Sequence, residues 1–172
     1  MLTVISDTHS TDNHQLSGQT YEAVQNAEMV AHAGDFMCES VLDALQREAT
    51  QLVGVAGNND DTGIRERLPT TRQFTFAGVQ FVMTHTRRGG PTALSLLGRE
   101  RDADVVIFGH SHRPTVIESE ECTLVNPGSH AQPRGHRAAH ADFAPQPTAA
   151  VSSPPLPPPQ THAPLVCLLL PS

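Results

Sequence analysis

Five short apolar runs lie within the first 112 residues, and each ends in a residue carrying a nitrogen or oxygen donor. LTVIS (2–6) leads into Asp7-Thr8-His9, MVAHAG (29–34) into Asp35, and QLVGVAG (51–57) into Asn58. VQFVMT (79–84) leads into His85, and DVVIFG (104–109) into His110-Ser111-His112. Runs of this length, rich in Val and Ile and separated by helical or turn segments, predict strands of a buried sheet. Ligand sites in such sheets collect outside the carboxyl ends of the strands. One histidine at a strand end usually packs or is solvated, and one Asp after Gly usually makes a turn or caps a helix. Recurrence at five strand ends is a different matter: it predicts a polynuclear metal site.

The intervening segments fit the same fold. Residues 20–27, 39–49 and 91–101 read as helices; the second places Val41, Leu42, Leu45 and Ala49 near a 3.6-residue spacing. The third carries Pro91 at a permitted first-turn position. Residues 74–76 and 79–83 flank an Ala77-Gly78 hairpin turn. Residues 115–117 and 123–125 flank an acidic turn, and Asn126-Pro127-Gly128 forces another. The expectation is a mixed-sheet α/β domain over residues 1–134.

Residues 135–172 have a different composition. Nine of the fourteen prolines fall from Pro145 onward, with no Gly, Asp, Glu or Arg among them. SSPPLPPPQ (152–160) favours polyproline II. The tail is therefore expected to be disordered and to add no strands. A reading-frame slip that replaced the original C-terminus accounts better for the abrupt change in composition than a natural loss of strands.

Bulk properties exclude several functions. With 172 residues, a net charge of −7 and no basic run, the chain is not built for extended nucleic-acid binding. Its three cysteines (Cys38, Cys122, Cys167) form no disulfide framework or zinc-ribbon spacing. No signal-peptide pattern opens the chain, and no apolar stretch reaches the roughly 18–20 residues of a membrane span. A soluble, cytoplasmic protein without membrane contact is expected, and a homo-oligomer is compatible with these features.

The donor types narrow the chemistry. Two divalent cations about 3.5–4 Å apart can hold a hydroxide and clamp a phosphoryl group for in-line attack. Asp35, isolated after Gly34, suits the ligand bridging both ions. Asp7, His9 and His112 are available to complete one ion, and Asn58, His85 and His110 the other. Four imidazoles, two carboxylates, one amide and no thiolate favour manganese, with zinc, iron, nickel or cobalt as alternatives, over magnesium.

DTH (7–9), GD (34–35), GNND (57–60), TH (84–85) and GHSH (109–112) resemble, in order and spacing, the calcineurin-like metallophosphoesterase superfamily. With NPGS (126–129), the chain is similar to its small archaeal and bacterial phosphodiesterase group, which is related to the retromer subunit Vps29. The resemblance implies a four-layer α/β/β/α sandwich. It also implies a dimetal phosphodiesterase acting on small phosphate esters or nucleotides, with Asp7, His9, Asp35, Asn58, His85, His110 and His112 as ligands. The alternative is a metal-binding interaction scaffold like Vps29. A DNA nuclease of the superfamily would need a capping domain and a basic surface that are missing here.

One departure bears on mechanism. Many superfamily members carry a histidine after the ligand asparagine; this chain has Asn59. An amide can donate to a phosphoryl oxygen but cannot supply a proton. Asn59 and Asp60 are the candidate catalytic neighbours, Asp60 as an orienting group. Arg87, in HTRRGG (85–90), and His130, after NPGS, are weaker candidates for substrate contact. His32 is expected to pack or to support a ligand, and His14, His136, His140 and His162 to be exposed.

Overall fold

The computed structural model describes residues 1–135, 139–145 and 165–171. Its elements run β1 (Leu2–Ile5), α1 (Gly18–Asn26), β2 (Met29–His32), α2 (Glu39–Glu48), β3 (Leu52–Gly54), α3 (Thr62–Arg67), β4 (Thr71–Phe76) and β5 (Val79–Thr84). After these come α4 (Gly90–Glu100), β6 (Val105–Ile107), β7 (Thr115–Glu118), β8 (Thr123–Asn126), β9 (Ala139–Pro145) and β10 (Leu165–Pro171). Two five-stranded mixed sheets result, ordered β10-β9-β1-β2-β3 and β4-β5-β6-β8-β7. In the first, β1, β2 and β3 are parallel and β9 is antiparallel to β1. In the second, β5, β6 and β8 are parallel, with the β4–β5 and β7–β8 pairs antiparallel.

Side-chain alternation explains why the sheets stack. Leu2 and Val4 of β1 meet Phe81, Met83, Val105 and Ile107 in one buried cluster between the sheets. The opposite face of the first sheet, with Ile5 and Val30, is covered by Val24 of α1 and by Val41, Leu42 and Leu45 of α2. The opposite face of the second, with Val82 and Val106, packs on Leu94 and Leu97 of α4. The strands β1, β2, β5 and β6 thus bury both faces, which is why their apolar runs are nearly continuous. The four-layer α/β/β/α architecture is as expected.

The structure differs from the sequence expectation in two respects. The short helix α3 was not predicted; it starts where the Asp61 carboxylate caps the Ile64 N–H at 2.9 Å and buries only Ile64. The second difference corrects the expected boundary at residue 134 and the expectation that residues 135–172 add no strands. Strand β9 extends the first sheet beside β1, pairing Thr3 with Asp142, and β10 pairs with β9. Thr3 Oγ1 donates to Asp142 Oδ1 at 2.6 Å, and the Phe143 ring meets Phe81 edge-on at 5.2 Å. The proline density that argued against strands belongs to the segment between β9 and β10. Pro145 and Pro171 fall at strand ends, where a missing N–H is tolerated. SSPPLPPPQ (152–160) lies outside the described residues.

Candidate metal centre

The parallel strands of both sheets deliver their carboxyl ends to one place. Asp7 and His9 follow β1, Asp35 follows β2, Asn58 follows β3, His85 directly follows β5, and His110 and His112 follow β6. Asp7, His9 and His112 form one group of converging donor atoms; Asp7, Asp35 and His85 form a second. His112 Nε2 lies 3.2 Å from Asp7 Oδ1 and 3.1 Å from His9 Nε2. Asp35 Oδ2 lies 3.6 Å from His9 Nε2 and 3.3 Å from His85 Nε2, so one oxygen faces both groups. Asn58 Oδ1 adds a donor 3.1 Å from His85 Nε2 and 2.8 Å from His110 Nδ1. Ligands about 2.0–2.2 Å from an ion lie roughly 3–3.6 Å from one another at tetrahedral or octahedral angles. The donor spacings are those of metal ligands, and the two groups have Asp7 in common.

Imidazole orientation makes the same point chemically. His85 Nδ1 donates to the Ala33 carbonyl at 2.7 Å, His112 Nδ1 to the Gln132 carbonyl at 2.7 Å, and His9 Nδ1 faces the Met37 sulfur at 3.4 Å. A neutral ring that donates through Nδ1 keeps a lone pair on Nε2. All three Nε2 atoms then face carboxylate oxygens, an arrangement that needs a cation or a proton between them. Burial alone would push the His85 imidazole down, but the Asp35 and Asp7 carboxylates hold it above its ordinary value. Against the same burial, His85 and Asn59 hold the Asp35 carboxyl well below the usual range, and His9 and Ser6 lower that of Asp7.

Backbone conformation shows how much is invested in this convergence. Asp7, His9, Asp35, His110 and His112 adopt φ of 54°, 44°, 60°, 70° and 59°. Left-handed backbone at a non-glycine residue costs on the order of 1–3 kcal/mol, so these turns persist because the surroundings fix them. The glycines ahead of the ligands answer a close approach. A Cβ at Gly57 would overlap the Asp35 carboxylate, and one at Gly109 would overlap Ser6 Oγ and lie 2.8 Å from Asp7 Oδ2.

Around the donors is a set of anchors. Asp60 is buried; its Oδ2 accepts from the Gly57 N–H at 2.6 Å and the Asp35 N–H at 3.3 Å, and its Oδ1 from the Met37 N–H at 2.8 Å. It ties the β2 and β3 turns together. Burial holds its carboxyl above the ordinary value despite these donors. Asn59 donates from Nδ2 to Asp35 Oδ2 at 2.7 Å and from its backbone N–H to Oδ1 at 2.8 Å, fixing the shared carboxylate. His32 is fully buried and stacked on Phe36; its Nδ1 accepts the Gly34 N–H at 3.2 Å, and burial pushes it down to about 3.

NPGS supplies anchors that sequence reasoning missed. Ser129 Oγ donates to the Asp7 carbonyl at 2.7 Å, and Asn126 Nδ2 to the Gly109 carbonyl at 2.8 Å. The signal was present, since NPGS closes a strand, but it read as a turn and a mark of resemblance, not as a set of anchors.

The weaker candidates separate. Arg87 stands at the edge of the site in an exposed ion pair with Glu100 at 3.4 Å. His130 is not among the converging donors; its Nε2 lies 3.3 Å from Ser17 Oγ beside α1. His14 and His140 are buried rather than exposed, His14 Nε2 lying 3.1 Å from Glu48 and His140 Nε2 3.4 Å from Asp142. His136 and His162 lie outside the described residues. Among the candidate ligands, Asp7, Asp35, His85 and His112 are buried, whereas Asn58 and His110 are exposed, so the centre opens on their side.

Comparison with known proteins agrees with this geometry. Residues 1–144 match the calcineurin-like phosphoesterase superfamily domain. A probable metallophosphoesterase of Methanothermobacter thermautotrophicus is 33% identical over 138 residues, covering 78% of this chain and 79% of that protein. A phosphodiesterase of Methanocaldococcus jannaschii is 27% identical over 115 residues, covering 60% and 68%. The crystal structure of Entamoeba histolytica Vps29 complexed with zinc superposes with a TM-score of 0.71, covering 99% of this chain and 98% of that one at 17% identity. A buried, strained cluster of Asp and His donors at converging strand ends and a domain-wide sequence match lead to one assignment: the chain belongs to the calcineurin-like phosphoesterase superfamily.

Proposed function

We propose that this chain is a dimetal phosphodiesterase acting on small phosphate esters or nucleotides. The observation that carries the reading is the turning of three imidazole Nε2 atoms onto the Asp7 and Asp35 carboxylates, with each Nδ1 engaged elsewhere. Asp7, His9 and His112 would hold one divalent ion, Asn58, His85 and His110 the other, and Asp35 both. Manganese suits this donor set, with zinc, iron, nickel or cobalt as alternatives. When bound, the pair supplies Lewis-acid activation of a water nucleophile and neutralises charge on the phosphoryl oxygens.

The chain's own residues do the positioning. Asn59 and Asp60 hold the shared carboxylate and its turn in place, one through Asp35 Oδ2 and the other through the Asp35 N–H. The exposed Asn58 and His110 edge is where a phosphate ester would enter, with Arg87 at its rim. His130 is engaged with Ser17 Oγ beside α1 and carries no part in this reading.

Hydrolysis of bis-p-nitrophenyl phosphate, measured with added Mn²⁺ and with EDTA on wild type and Asp35→Ala, tests the reading. Metal-dependent turnover that the substitution abolishes is expected. Metal-independent turnover, or full activity in Asp35→Ala, refutes it. Metal uptake without turnover of any ester would favour the interaction-scaffold reading.

A further inference from the structure

Beside the metal centre lies a cavity of about 300 Å³ that shares His85 and His110 with it. Its apolar walls come from Pro91 and Leu94 of α4, Phe108 after β6, and Ile117 of β7. Leu94 and Phe108 belong to the cluster packed between α4 and the second sheet, so this side of the cavity is rigid. The volume is at the small end of ligand pockets, which run from about 300 to 1,000 Å³.

Several polar groups lining the cavity already have partners. Ser111 Oγ accepts from Asn126 Nδ2 at 3.1 Å and from the Arg113 N–H at 3.3 Å. Thr115 Oγ1 donates to the Arg113 carbonyl at 3.0 Å, and His110 Nδ1 is turned to Asn58. A nucleobase laid on the Pro91, Leu94, Phe108 and Ile117 walls would set amide and amine groups against carbon, which costs free energy wherever no hydrogen bond compensates. An apolar ring would lose nothing and would remove its own surface from water. Arg87 lines the same cavity, and its exposed pair with Glu100 is of a kind worth little, so its guanidinium is free to turn to a phosphoryl oxygen.

We propose that this cavity receives the alcohol portion of the phosphoester and selects an apolar, aryl-sized group there, with Pro91, Leu94, Phe108 and Ile117 as specificity-determining residues. The proposal rests on the phosphoesterase reading and narrows its substrate class from nucleotides to esters of apolar alcohols.

Calorimetric titration of the Mn²⁺-loaded full chain with phenylphosphonate and with methylphosphonate tests it, because each ligand carries one carbon group and neither is hydrolysed. Phenylphosphonate is expected to bind about tenfold more tightly, the scale of discrimination by an apolar pocket. Ile117→Gln lies on the exposed outer strand β7, and Pro91→Gln in the exposed first turn of α4. Both should fold, reduce that margin to near unity and leave methylphosphonate binding unchanged. Equal affinities in wild type, no binding of either ligand, or a margin retained in both variants would overturn the proposal. Failure of the phosphoesterase reading shows up separately, as tight phenylphosphonate binding without hydrolysis of any ester.

Discussion

His32 offers a quantitative check on how the turn bearing Asp35 is held. Its ring is fully buried, stacks on Phe36 at 3.6 Å, and uses Nδ1 as the acceptor for the Gly34 N–H. A proton on the ring would place a charge in the core and turn that acceptor into a second donor. Burial therefore pushes the imidazole down from 6.5 to about 3. A base with a depressed folded-state value contributes stability that is complete above about pH 6.5 and lost as the pH falls toward 3. Each pH unit inside that window is worth about 1.4 kcal/mol, so lowering the pH from 7 to 5 should cost the wild type about 2 kcal/mol through this residue alone. Urea unfolding in EDTA at several pH values, on wild type and His32→Gln, isolates the term, because other titrating groups are common to both proteins. The variant should start less stable at pH 7 and lose about 2 kcal/mol less on going to pH 5. Parallel pH profiles, or a His32 ring resonance titrating near 6.5, would refute the reasoning.

Three further expectations concern other parts of the structure. Asp60→Asn keeps the shape but turns an amide toward backbone donors; at about 1.5–3 kcal/mol per charge-assisted hydrogen bond, it should destabilise by about 2–4 kcal/mol in denaturant unfolding, and a loss under 0.5 kcal/mol would count against the anchoring role. Phe143→Ala, which removes a β9 side chain 1% exposed beneath Phe81, should cost about 3–5 kcal/mol; a change under 1 kcal/mol would mean that β9 does not dock on β1. Because Asn59 cannot supply the proton that general acid catalysis uses to gain roughly 10²–10⁴-fold, p-nitrophenyl phosphodiesters should be turned over far faster than alkyl monoesters, and equal steady-state rates would show that another group protonates the leaving oxygen.

What could be read from the sequence and what could not divide along physical lines. The candidate ligands were legible because a buried parallel strand is a continuous apolar run, and polar residues just after it fall at the strand's carboxyl end. The same logic exposed the β4–β5 hairpin, whose Ala77 and Gly78 take φ of 48° and 82°. Anchors were harder, since they depend on where separate turns meet. Asp60 read as an orienting group beside Asn59, and only the folded chain shows its oxygens aimed at the N–H groups of Asp35, Met37 and Gly57. His14 sits in a polar segment and His140 in the tail, yet His14 is buried beside α1 and His140 within β9, which composition cannot reveal. The strand β9 was hidden by the prolines that follow it, although Ala141 and Phe143 alternate toward the core.

In the proposed centre, seven strand-end donors hold two divalent ions through a shared Asp35. Equilibrium dialysis against Mn²⁺, with elemental analysis of the protein fraction, tests it without depending on any substrate. Two ions per wild-type chain, falling to one or none in Asp35→Ala, is the predicted result. One ion or none in the wild type, or two still bound in Asp35→Ala, would contradict the account.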